Sequence, residues 1–162
     1  MNFKEKIFNL LSEIPDPEIP VISIVELGVV RDANDLGNNA IEVTITPTYS
    51  GCPAMKQMET DVIAKLKENG FTDVKIRMVY SPAWTTDWLS EEAKLKLQKY
   101  GIAPPEESTS DKSFITGKHK AVTCPRCKSK NSVMVSQFGS TACKALYKCN
   151  DCLETFDYFK CI

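Results

Sequence analysis

Apolar positions at helical spacing open the chain. Phe3, Ile7, Leu10, Leu11 and Ile14 predict an amphipathic helix over residues 3–13. It stops before PDPEIP, where three prolines favour an extended turn. VELGVVRDA then reads as a short strand and AIEVTITPT as a second, because Ile41, Val43 and Ile45 alternate with Glu42, Thr44 and Thr46. The acidic, Asn- and Gly-rich DANDLGNN between them reads as a hairpin loop. Met55, Met58, Val62 and Leu66 line one face of a helix in CPAMKQMETDVIAKLKENG, with Pro53 suited to its first turn and Gly70 to its end. Val74, Ile76 and Met78 alternate along DVKIRMVY, a third strand. In SEEAKLKLQKYG, an N-cap at Ser90, acids at Glu91 and Glu92 and a stop at Gly101 mark one more helix.

The pattern then changes. APPEESTSDKSFITGKHK is rich in Pro, Ser, Thr and charge and reads as a linker. Beyond about residue 120, three short β-rich runs, KNSVMVSQF, KALYKC and ETFDYFKC, stand among six cysteines. The predicted class is α+β: a small two-layer α/β sandwich domain over 1–104, a linker over 105–119, and a C-terminal four-cysteine zinc ribbon over 120–162. Charge supports two modules, since residues 1–110 hold 11 basic and 17 acidic side chains and residues 111–162 hold 9 and 4. No apolar run approaches the roughly 18 residues that span a bilayer, which argues against a membrane partner. The N-terminus carries acidic residues and no small-residue cleavage site, so a cytoplasmic location is expected. In that reducing compartment, clustered cysteines more often hold metal than pair as disulfides.

CPRC and CNDC place Cys124, Cys127, Cys149 and Cys152 as two C-x2-C pairs 21 residues apart. Two such turns supply four thiolates for a closed tetrahedral site. Structural zinc is the favoured occupant; a rubredoxin-like iron centre or an iron–sulfur cluster is the alternative that spacing leaves open. Because so short a module buries little core, the metal would supply folding free energy. Lysines are scattered through the ribbon (Lys128, Lys130, Lys144, Lys148, Lys160) without a dense basic run, which makes a protein partner at least as good a reading as nucleic acid.

Cys52 stands apart in TPTYSGCPAM. With Pro53 fitting a first helical turn, it sits at or beside an N-cap, where unpaired amides and the positive dipole end favour a thiolate. The competing reading is a small buried hydrophobe that closes the strand–helix turn. One thiolate is an incomplete metal site. Its partners could come from a second copy of the chain, from another protein, or from Cys143 and Cys161. In a ribbon those two cysteines fall at the end remote from the metal, on the order of 18 Å away, as auxiliary thiols and poor zinc ligands.

DPEIPVISIVELGVV, ITPTYSGCPA and YSPAWTTDWLSEEAKLKLQKYGIAPP resemble the SufT-like domain associated with iron–sulfur protein maturation. Together with CPRC, SQFGSTACKALYKC and CLETFDYFKC, the whole chain resembles the PaaD-type subunits of bacterial phenylacetyl-CoA epoxidase systems. The resemblance places the family's Asp-Pro-Glu motif on Asp16, Pro17 and Glu18. Its Thr-x-x-Gly-Cys-Pro pattern falls on Thr48, Gly51, Cys52 and Pro53, with Cys52 as the contact for iron or a cluster. Asp16 would lend a carboxylate oxygen to iron or cap a turn. Trp84 and Trp88, near Asp87, would form a docking surface or pack a loop onto the sheet.

The resemblance also implies a role. Such proteins accompany an oxygenase with a di-iron subunit and a flavin/iron–sulfur reductase. This chain lacks paired Glu-x-x-His motifs and a glycine-rich nucleotide loop, and its one histidine, His119, lies in the linker. The expected role is therefore non-catalytic: helping install iron or a transient [2Fe–2S] centre in oxygenase or reductase subunits. A purely structural bridging subunit and a nucleic-acid-binding regulator are the competing roles.

Overall fold

The computed structural model describes residues 2–106 and 120–160. Residues 107–119 of the expected linker, with His119, and Cys161 lie outside the described residues. The chain forms two compact units, Met1–Trp84 and Thr85–Ile162.

In the first unit, α1 spans Phe3–Leu11. Asn2 and Glu5 form a reciprocal capping box, each side chain accepting the other's backbone N–H at 2.9 Å. Ile7 and Leu11 are fully buried, each worth about 1.5–3 kcal/mol relative to exposure. Strands β1 (Val30–Gly37) and β2 (Ala40–Ile45) pair antiparallel, and β3 (Asp73–Met78) lies parallel to β2. Helix α2 (Ala54–Glu68) provides the crossover between β2 and β3. It buries Met55, Met58, Val62 and Leu66, the expected stripe. Helix α1 packs on β1, α2 on β3, and the two helices touch, giving the two layers.

The first strand departs from expectation. It begins at Val30 and continues through Asp32–Gly37, the stretch read as loop. The loop shrinks to Asn38 and Asn39, at φ 52° and 59°, the left-handed pair that a tight hairpin requires. Between α1 and β1, residues 12–29 form no regular element yet carry a core of Ile14, Ile19, Ile22, Ile24 and Leu27. A Pro15–Ser23 bridge closes this segment, and Ser23 and Glu26 exchange backbone-to-side-chain bonds at 2.9 and 3.1 Å. Trp84 is 3 % exposed, and its indole N–H donates to the Leu27 carbonyl at 2.8 Å. It therefore packs into the core and leaves no paired-tryptophan docking surface.

In the second unit, α3 (Glu91–Tyr100) has the expected caps, with the Ser90 hydroxyl accepting from the Ala93 N–H and Gly101 at φ 95°. The chain then enters β4 (Ile102–Ala103). Strands β5 (Ser132–Ser136), β6 (Lys144–Cys149) and β7 (Thr155–Phe159) follow. The sheet order is β4-β7-β6-β5, with β4–β7 parallel and the rest antiparallel. Thus α3 and β4, expected with residues 1–104, fall in the same compact unit as the cysteine turns. Ala103, Val122, Ala145, Tyr147 and Phe156 form one cluster with Cys124 and Cys149. Tyr147 stacks on Phe156 at 5.9 Å and meets Tyr158 edge-on at 5.7 Å.

Candidate metal centre and the Cys52 turn

Two similar turns carry the four thiols. The Cys124 N–H donates to the Ser129 carbonyl at 2.8 Å, and the Cys149 N–H donates to the Glu154 carbonyl at 2.9 Å, the same five-residue step. The residue after each second cysteine, Lys128 and Leu153, sits at φ 64°. That left-handed bend turns the chain back, so that the amides of each turn face the sulfurs. A polar network joins the turns: the Ser129 hydroxyl and the Asn131 amide (2.8 Å) both donate to Asp151, and the Asn150 amide donates to Asn131 at 3.0 Å.

The four Sγ atoms lie within 4.8 Å of one another, with Cys124–Cys152 at 3.8 Å and Cys127–Cys149 at 3.5 Å. A tetrahedral zinc with Zn–S near 2.3 Å requires S···S separations of about 3.8 Å. The donor set therefore fits a four-coordinate metal with no open position. The thiols are also electrostatically unequal. Backbone N–H groups of Cys152 and Asp151 outweigh burial and hold Cys149 down at about 7. At Cys152 the Glu154 N–H acts downward, but burial and the neighbouring sulfurs push the thiol up to about 12. Sulfurs this close cannot all ionise without a cation among them.

Cys143 precedes β6 and is not part of this group. It is buried, its Sγ 3.0 Å from the Thr141 hydroxyl, and its carbonyl accepts the Lys160 N–H at 2.9 Å. The Lys160 ammonium lies 4.3 Å from the Phe138 ring, and burial draws its pKa downward against the opposing pull of Cys143.

In the first unit, Cys52 lies in the connection between β2 and α2. Gly51, at φ 81°, bends the chain before it, which a side chain would resist. The Cys52 N–H donates to the Tyr49 carbonyl at 3.3 Å, and its own carbonyl accepts the Met55 N–H at 3.2 Å. Pro53 is the N-cap rather than the first helical residue, and no side chain caps the start of α2. Cys52 is buried, at 9 % exposure. Thr48 in the same loop is half-buried.

Asp16 is 4 % exposed and caps its turn: one carboxylate oxygen accepts the N–H groups of Glu18 (2.8 Å) and Ile19 (2.6 Å). Among the described residues, the four ribbon cysteines are the only group of three or more Cys, His, Asp or Glu donors close enough to share an ion. Asp16, Glu18 and Cys52 do not gather into a comparable one. Sequence reasoning passed over Thr46, which is 1 % exposed with its hydroxyl unpartnered, two residues before Thr48. Alternation put it on the outer face of β2, where no sign of burial was visible.

An α/β sandwich followed by a ribbon whose four thiols can share one ion defines a two-part protein with a single candidate metal centre among the described residues. Residues 4–78 match the family model for an iron–sulfur cluster assembly protein, and residues 108–160 match the PaaD zinc beta ribbon domain. The chain is 47 % identical, over 97 % of its length and 92 % of the relative's, to an Escherichia coli (strain K12) protein provisionally named as a component of 1,2-phenylacetyl-CoA epoxidase. It belongs to the PaaD family. Its first part is 36 % identical to an Fe-S protein maturation auxiliary factor of Porphyromonas gingivalis, covering 58 % of this chain and 90 % of that one. The crystal structure of a DUF59 domain from Bacillus anthracis superposes with a TM-score of 0.55 at 33 % identity, over 59 % of this chain and 91 % of that one.

Proposed function

We propose that the chain is an accessory maturation protein of a phenylacetyl-CoA epoxidase system, assisting insertion of iron or a [2Fe–2S] cluster into oxygenase or reductase subunits. The carrying observation is Cys52 at the uncapped start of α2, next to the left-handed Gly51, in a domain that matches the iron–sulfur cluster assembly family. Iron or a cluster is cargo here. Cys52 offers a soft ligand, and the positive dipole end of α2 favours negative charge on the loaded sulfur. A single protein thiolate holds such cargo weakly, which suits hand-over to a client or to a second copy of the chain. Cys124, Cys127, Cys149 and Cys152 would hold a structural zinc that folds the ribbon and supplies no reaction chemistry. The names of the relatives, an epoxidase component and a maturation factor, support a role without catalysis.

The burial of Cys52 favours one competing reading, a structural subunit that bridges the complex without moving metal. Protein purified without oxygen, as wild type and Cys52→Ser, separates the two by elemental analysis and absorption spectroscopy. One zinc in both and extra iron in wild type alone supports transfer. Equal iron in both, with a Cys52→Ala complex fully active, supports the bridging subunit.

A further inference from the structure

The second unit holds a cavity of about 380 Å³ between the last turn of α3 and the first cysteine turn, lined by Gln98, Lys99, Tyr100, Pro125, Arg126 and Lys128 among others. Three cations line it and no carboxylate does. Among the described residues, none of the three pairs with an acidic side chain. The Lys128 ammonium is aimed by the left-handed backbone at its own residue and by donation to the Pro125 carbonyl at 2.9 Å. The cavity of about 550 Å³ on the first unit is different in kind, because there Lys4 is matched by Asp32 at 2.7 Å and Glu5 also lines the wall.

We propose that the cavity between α3 and the first cysteine turn binds a phosphorylated nucleotide. Its volume lies near the low end of small-ligand sites. Phosphate suits the chemistry: Arg126 offers a planar fork and Lys99 and Lys128 offer compact charges. The C-terminal dipole of α3 is worth roughly half a negative charge, which leaves the wall strongly positive. Lys99 alone would answer that dipole; Arg126 and Lys128 exceed it. Tyr100 is 56 % exposed and presents a ring on which a base can stack. This site is separate from the Cys52 turn and does not depend on the transfer role.

Calorimetric titration of the full-length, zinc-loaded protein with adenosine 3′,5′-bisphosphate and with pyrophosphate tests the assignment. Wild type should bind the nucleotide more tightly than pyrophosphate, and less tightly as salt rises. Arg126→Gln should weaken nucleotide binding by about 10-fold or more with zinc content unchanged. Lys99→Gln, on α3 and outside the cysteine turn, should act in the same direction should Arg126→Gln disturb folding. Tyr100→Ala should cost roughly 5-fold or more for the nucleotide and nothing for pyrophosphate. Absence of binding at millimolar nucleotide would overturn the proposal. So would affinity unchanged in both charge variants, or a glutamate-rich peptide that outcompetes the nucleotide.

Discussion

Leu153→Gly should stabilise the ribbon. Leu153 holds φ 64° directly after Cys152, and its side chain is 68 % exposed, so little packing is lost on removal. A non-glycine residue in the left-handed region carries about 1–2 kcal/mol of backbone strain. Glycine removes that strain but adds freedom to the unfolded chain, offsetting about 0.4–1 kcal/mol. The net gain is about 0.5–1 kcal/mol. If, as proposed, a bound zinc helps fold the ribbon, the gain should appear as zinc held roughly 2- to 5-fold more tightly. Competition against a chromophoric chelator at fixed pH measures this directly. Leu153→Ala is the decisive control: it removes the same side chain but keeps the strain, and should leave affinity unchanged. Lys128→Gly, at the matching position, should gain less, since it also loses the bond to Pro125. If Leu153→Gly weakens zinc binding, or if Leu153→Ala strengthens it as much as glycine does, the strain argument fails.

Four further outcomes are expected. Cys143→Ala should retain full metal, whereas Cys149→Ala should lose it, read by elemental analysis of purified protein. Trp84→Phe leaves the buried Leu27 carbonyl without its donor and should cost about 1–3 kcal/mol in denaturant unfolding of the first unit. Asp16→Ala removes the cap on two amides and should cost about 0.5–2 kcal/mol in the same assay, with Asp16→Asn recovering much of it. The Lys4 hydrogen bond, against slight burial and with help from the Ala33 amide, holds the Asp32 carboxyl below its usual range. Its contribution is therefore present above the ordinary carboxylate pKa and lost as pH falls through the lowered one. Thermal midpoints of wild type and Asp32→Asn should converge in acid and separate toward neutral pH.

The sequence made some elements plain and hid others for identifiable reasons. Helix α3 was readable to within a residue because Ser90 and Gly101 are local signals that act through their own backbone geometry. The apolar stripe of α2 was equally open. The far half of β1 was not, because Ala33 is the one buried residue of Asp32–Gly37 and no alternation of burial follows it; pairing with β2 and the Asn38–Asn39 turn define it instead. Strand β4 is two residues long, too short for any period, and it exists through its pairing with β7. At the cysteines, spacing alone gave the metal group, since two C-x2-C turns have few other uses. Asp16 could not be assigned from its motif, because capping a turn and binding iron ask for the same carboxylate. Thr46 was invisible for a similar reason: a threonine on the polar side of a strand gives no hint that its face is covered.

The small strand after α3 changes what counts as a transplantable piece. Cutting the gene between residues 104 and 105 would leave Ile102 and Ala103 on one fragment and their hydrogen-bonding neighbours Asp157 and Tyr158 on the other. The cysteine-rich half would then display a raw sheet margin, open to self-association. A shuffled or fused version that keeps its shape should carry the chain from about Thr85 onward.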